Sequence, residues 1–163
     1  MAERLTARIR STCVQYDSME PTITSGTDLL ADELHYKNER PSRWHVVVFS
    51  LPADLESLGA EAPRFMKRVI GLPGETIQLT PEGPFLNGAK MAVPPRLADR
   101  FSSFTPFDGY RFGLEPYPIP DDSVFLVGDN PKIYVSDSRE FGAIPIRCIH
   151  SRVVATVRVD PVV

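Results

Sequence analysis

The sequence predicts a mainly β protein built of packed or coiled antiparallel sheets with a small irregular insertion. Sixteen prolines are spread along the 163 residues. Each removes a backbone donor and restricts helix interiors, so long helices are excluded almost everywhere. Short β-branched or apolar runs recur with turn signals between them, the pattern of half-buried strands. With 42% hydrophobic and 24% charged residues, residues 1–163 suit one globular domain with a real core.

The elements follow in order. Met1 to Arg10 carries Arg4, Arg8 and Arg10 but no apolar stretch or cleavage site. It reads as a strand arm or frayed tail rather than a secretory signal, with a membrane-surface contact as the sharper alternative. Strands are expected at Thr12 to Tyr16, Asp28 to Leu34, His45 to Ser50, Phe65 to Ile70, Thr76 to Thr80, Val124 to Val127 and Ile149 to Val159. Gly71-Leu72-Pro73-Gly74 can bend the backbone sharply, because proline presets one dihedral and glycine tolerates positive φ. It predicts a hairpin that starts just after Lys67. Asn87-Gly88 predicts a second hairpin, between Pro84-Phe85-Leu86 and Ala89-Lys90-Met91. From about 81 to 120 the periodicity weakens, and this stretch reads as an inserted sub-domain. Its Phe101, Phe104, Phe107, Tyr110 and Phe112 predict local packing rather than a ligand box.

Charge and composition remove several classes of function. Eighteen basic against 21 acidic residues give a net charge of −3, which lacks the footprint of a nucleic-acid binder. No apolar run approaches the roughly 20 residues that cross a bilayer, so the chain reads as soluble or peripheral. Cys13 and Cys148 have no metal or redox spacing; buried thiols are the default, and a disulfide joining the two chain ends is the alternative. His35, His45 and His150 lack metal spacing and read as surface or strand histidines. Neither a metal nor a cofactor is expected.

Three segments carry candidate chemistry. In Ser18-Met19-Glu20-Pro21-Thr22, proline biases Glu20 away from helix, placing the serine where a strand leaves regular pairing; an ordinary turn serine is the competing reading. No GxSxG elbow is present, which excludes an α/β-hydrolase origin for this serine. In the strand Phe65 to Ile70, alternation puts Phe65, Lys67 and Val69 on one face and Met66, Arg68 and Ile70 on the other. One of Lys67 and Arg68 must then point inward. An inward lysine among apolar neighbours loses hydration of its charged form and becomes a base near neutral pH; a solvent-facing Lys67 beside a snorkelling Arg68 is the alternative. In Gly128-Asp129-Asn130 to Ser136-Asp137-Ser138-Arg139, Asp137 and Arg139 can pair, and Ser136 or Ser138 can hydrogen-bond the lysine amine. A turn held by its own side chains is the plainer reading.

Taken together and in this order, Ser-Met-Glu-Pro-Thr, Lys-Arg-Val-Ile-Gly-Leu-Pro-Gly-Glu and Gly-Asp-Asn followed by Ser-Asp-Ser-Arg-Glu-Phe-Gly strongly resemble the type I signal peptidase family. The resemblance covers most of residues 12 to 158. It implies coiled antiparallel sheets and a serine endopeptidase that cleaves signal peptides of exported proteins after small residues. Ser18 would be the nucleophile and Lys67 the general base of a Ser-Lys dyad. By position, Met19, Pro21, Asp129, Asn130, Ser136, Asp137, Ser138 and Arg139 would support the site or bind substrate. The partners implied are signal peptides or other extended segments. The family is membrane-bound with its active site on the extracytoplasmic side, which leaves a membrane surface or a membrane protein as candidate further partners.

The chain also departs from the family pattern. Tyr16 and Asp17 stand where glycine or a small hydroxyl residue is usual, so a carboxylate beside the site is expected to hold Lys67 protonated. The third loop is one residue longer than usual, and Trp44-His45 replace a customary Gly-Asp. These changes motivate a second reading, a catalytically silent relative that binds peptides or partner chains. A third is a self-cleaving repressor or specialised processing peptidase with the same chemistry.

Overall fold

The computed structural model describes residues 7–9, 17–52 and 63–157. Strands β1 (Ala7–Ile9), β2 (Asp28–Asp32), β3 (Val46–Ser50) and β4 (Arg64–Gly71) come first. They are followed by β5 (Thr76–Thr80), β6 (Gly83–Leu86), β7 (Ala89–Lys90) and β8 (Tyr117–Pro118). The chain closes with β9 (Ser123–Val127), β10 (Ile144–Pro145) and β11 (Ile149–Val157). Helices α1 (His35–Asn38), α2 (Ala98–Phe101) and α3 (Ser138–Phe141) are single turns, as the distribution of prolines requires. None is long and apolar enough to cross a membrane, judged over the described residues. The expected strand at Thr12 to Tyr16, and Cys13 with its disulfide alternative, lie outside the described residues.

Seven strands form one sheet in the order β1-β2-β11-β3-β4-β9-β10, and four form a second in the order β7-β6-β5-β8. Their pairings are antiparallel. Register breaks in β11 at Val153/Ala155 and Ile149/Ser151, and in β4 at Val69/Gly71, add local twist that coils the larger sheet.

The turn at Gly71 to Gly74 does not close the hairpin expected after Lys67. β4 is already paired on one side by β3 and on the other by β9, so it has no free edge to offer β5. The turn instead carries the chain into the second sheet, where β5 pairs with β6 and β8. That sheet therefore starts at Thr76 and draws on residues ahead of the 81–120 stretch. A Cβ at Gly71 would lie 2.3 Å from Ile119 Cδ1 and 2.9 Å from Phe125 Cβ, so the tight packing at the end of β4 favours glycine. The Asn87-Gly88 hairpin forms as expected between β6 and β7, with φ of 50° and 81°, the left-handed pair of a type I′ turn.

β9 is buried along its whole length, because both its faces are covered. Val124 and Leu126 pack with Val47, Phe49, Val69 and Ile144. Phe125 and Val127 pack with Ile70, Ile77, Leu79 and Ile119 between the sheets. Phe101 and Phe104 join that second cluster, as local packing predicted, while Tyr110 is used elsewhere. His35 differs from its surface-or-strand reading: it is buried on α1, edge-on to Tyr36 with ring centroids 4.8 Å apart.

Candidate active site

Ser18 sits in a 3-10 turn, Asp17–Met19, closed by Glu20 N donating to Asp17 O (3.1 Å) and Ile23 N donating to Met19 O (2.9 Å). Met19 anchors the turn: it is fully buried against Ile23, Leu29, Val46 and Met66. The Glu20–Pro21 peptide is cis, and Pro21 is exposed. From the other side, the loop after β9 clamps the turn. Asn130 N donates to Ser18 O at 3.1 Å, and Asn130 Nδ2 donates to Asp17 O at 2.9 Å. A Cβ at Gly128 would lie 2.7 Å from Ser18 O and 2.7 Å from Val135 Cγ1, so only glycine admits this approach.

Lys67 lies on β4 directly across from Val47 of β3. Its Nζ donates to Ser18 Oγ at 3.0 Å and to Met66 O at 2.9 Å, and the residue is 4% exposed. Burial pulls its pKa from 10.5 down to about 8, because the charged ammonium loses hydration. Asp137 and Asp129 pull the other way, and Arg139 adds to the lowering. Asp17 does not figure among these influences and its side chain is exposed. The expectation that it would hold Lys67 protonated is therefore corrected: the carboxylates that reach the amine come from the third segment.

Strand parity is right, but only one inward cation was expected and both are buried, Lys67 at 4% and Arg68 at 6% exposure. β4 is central and covered on both faces, so neither face is left to solvent. Arg68 is compensated by Asp129, with Nε donating to Oδ1 (2.8 Å) and Nη2 to Oδ2 (2.6 Å), a bidentate charge-assisted pair. Arg68 Nη1 also donates to Trp44 O at 2.8 Å. Trp44 stands at φ 71°, the left-handed region that favours glycine. Thr22 Oγ1 donates to Asp129 Oδ2, which ties the nucleophile loop to the partner of Arg68.

Asp137 organises the third segment. Its Oδ1 accepts from Arg139 N (3.0 Å) and Nε (2.9 Å). Its Oδ2 accepts from Arg139 Nη2 (2.6 Å) and Gly128 N (2.9 Å). The expected Asp137–Arg139 pair is thus present and also fixes Gly128 under the serine turn. Arg139 lies over the Tyr110 ring at 4.3 Å, a cation–π contact, and Tyr134 stacks on Tyr110 at 5.0 Å. The expectation that Ser136 or Ser138 bonds the lysine is corrected. Ser138 Oγ accepts from Leu126 N at 2.9 Å, holding α3 to β9, and Ser136 is exposed.

Ser18, Lys67, Met19, Asp129, Asn130, Asp137, Ser138 and Arg139 thus converge; Pro21 flanks them and Ser136 stands apart. Sequence reasoning missed Thr22, Gly128, Tyr110 and the Arg68–Asp129 pair. Glycine at 128 was visible as part of Gly-Asp-Asn, whereas nothing in the sequence links Tyr110 to Arg139. Chemically, a hydroxyl beside a desolvated amine can lose its proton as it attacks a carbonyl.

Known proteins resemble this chain in sequence and in fold. The model of the family described as signal peptidase, peptidase S26, matches residues 5–158. A probable signal peptidase I-2 from Synechocystis is 32% identical over 150 residues, 89% of this chain and 60% of that protein. Signal peptidase I V of Bacillus subtilis is 33% identical over 131 residues, 78% of this chain and 73% of that protein. The chain thus spans about 60% of the length of the Synechocystis relative. The crystal structure of a signal peptidase I from Enterococcus faecalis shares the fold, with a TM-score of 0.53 at 23% identity over 71% of this chain and 98% of that one. A family match over nearly the whole chain, with the same mainly β architecture, means that this protein belongs to the signal peptidase family, peptidase S26.

Proposed function

We propose that the protein is a serine endopeptidase of type I signal peptidase kind, cleaving signal peptides of exported proteins after small residues. The observation that carries this reading is the 3.0 Å contact from buried Lys67 Nζ to Ser18 Oγ. Ser18 Oγ attacks the scissile carbonyl while neutral Lys67 takes its proton. Lys67 then protonates the leaving amine; neutral again, Lys67 deprotonates a water that attacks the acyl-enzyme carbonyl and passes that proton to Ser18 Oγ as the acyl–oxygen bond breaks. The Ser18 N–H serves as an oxyanion donor, and losing such a donor costs on the order of 3 kcal/mol. Asn130 acts as a positioning residue by holding the carbonyls of Asp17 and Ser18. The substrate is an extended segment lying beside a strand, where backbone pairing supplies affinity and small pockets supply selectivity. A membrane surface or membrane protein is the further partner in this reading.

Of the departures that motivate the silent-relative alternative, Tyr16, Asp17 and the altered third loop, the exposed Asp17 carboxylate is not among the charges acting on Lys67. A fluorogenic signal-peptide substrate tests the proposal. Wild type cleaves it, while Ser18→Ala and Lys67→Ala each lower kcat/KM by about 1000-fold or more, as removal of a nucleophile or base does. Turnover that survives both substitutions, or a wild type that binds the peptide without cutting it, overturns the proposal.

A further inference from the structure

A cavity of about 510 Å³ opens behind the catalytic layer, lined by Arg43, Arg68, Arg96, Arg152, His45 and a rim of β11 residues that includes Val153. Among the described residues lining it, none is acidic. This concentration of guanidinium groups is not a by-product of composition, since the chain carries a net charge of −3.

Two of the four arginines are compensated. Arg43 forks onto Glu75, with Nη2 2.5 Å from Oε1 and Nη1 3.0 Å from Oε2, and Arg68 is held by Asp129. Arg96 and Arg152 form no ion pair with a described carboxylate, and each lines the cavity from a different element. His45, half-buried in the wall with its Nδ1 3.0 Å from Tyr36 Oη, is kept neutral by burial and by the Arg152 charge. The cavity therefore presents two guanidinium groups that no described carboxylate holds in an ion pair, Arg152 standing across from Asp32 of β2, and an uncharged polar ring.

We infer that this cavity is a binding site for a phosphate-bearing ligand. A carboxylate needs one guanidinium fork, whereas a phosphate has enough oxygens and charge to satisfy two. The volume exceeds what inorganic phosphate fills, and the Val153 rim suits a neutral or apolar substituent on the phosphate. Both a free organic phosphate and a lipid headgroup offer this chemistry.

The inference concerns binding and stands apart from the catalytic reading. The full chain is titrated calorimetrically with glycerol phosphate, and its binding to phosphatidylglycerol vesicles is compared with phosphatidylcholine vesicles. Saturable binding of the soluble phosphate assigns a small-molecule ligand, and binding confined to phosphatidylglycerol vesicles assigns a headgroup. In either case the double variant R96Q/R152Q weakens binding by about tenfold or more, the equivalent of one lost charge-assisted contact. Arg147→Gln, a change at an exposed site outside the cavity, leaves binding unchanged. Absence of binding in both arms, undiminished binding by the double variant, or an equal loss in Arg147→Gln overturns the inference. Should the double variant fail to fold, the ring NMR signals of His45 in wild type decide. They move saturably with glycerol phosphate or the vesicles if the cavity is occupied, and stay fixed if it is not.

Discussion

Lys67 is where burial, charge and chemistry meet. Its pKa of about 8 predicts that peptide cleavage rises with pH and levels off above that value, because only the neutral amine accepts the Ser18 proton. The same shift has a stability consequence with a definite sign. The folded pKa lies below the unfolded one, so between about 8 and 10.5 the unfolded chain holds a proton that the folded chain has released. Stability contributed by this group therefore rises with pH across that window, and the burial penalty is fully present below it. Lys67→Met is expected to raise the urea midpoint at neutral pH and to give a smaller gain above the ordinary lysine range. Arg68, by contrast, is buried as an ion pair with Asp129. Asp129→Ala leaves its buried guanidinium uncompensated and is expected to cost about 3–5 kcal/mol in urea unfolding, with Thr22 losing an acceptor as well. Parity in the sequence located both cations, but their joint burial depends on both faces of β4 being covered, which local alternation does not reveal.

At the scale of elements, the serine turn and the loop after β9 act as one unit. Gly128→Ala forces a methyl against Ser18 O and Val135, so it is expected to cost about 1–3 kcal/mol by overpacking. It also lowers kcat/KM by about 100-fold through displacement of the nucleophile. Steady-state kinetics beside denaturant unfolding separates the two effects; a variant that loses stability but keeps kcat/KM contradicts the clamp. The element boundaries were largely legible, since β2, β3, β5 and the β6–β7 hairpin fall where the apolar runs, their turn signals and Asn87-Gly88 place them. The path after Gly71 was not legible. A Gly-Leu-Pro-Gly turn reads as a hairpin locally, and only the pairing of β4 with β3 and β9 sends β5 to the other sheet. Likewise Ser138 was legible as a polar group near the site, but its bond to Leu126 N follows from the docking of α3 on β9.

For the molecule as a whole, the two sheets share a core, with Phe125 and Val127 from the larger packed against Ile77 and Leu79 of the smaller. They are expected to unfold in one cooperative transition, coincident by near- and far-UV circular dichroism. Phe125→Ala should destabilise both sheets together by about 3–5 kcal/mol. Two separated transitions would mean that the smaller sheet stands alone. The order of the three motif segments made the family legible from sequence. What stayed hidden, including the Tyr110 support for Arg139 and the arginine-lined cavity, joins residues far apart in the chain and arises only from the packing of the sheets.

The account rests on a lysine that is neutral near its serine under working conditions. An NMR titration of Lys67, followed through its labelled Cε, measures this directly. The account predicts a midpoint near 8 that coincides with the rise in cleavage. A midpoint near the unperturbed lysine value of about 10.4, with the cleavage rise elsewhere, would contradict it.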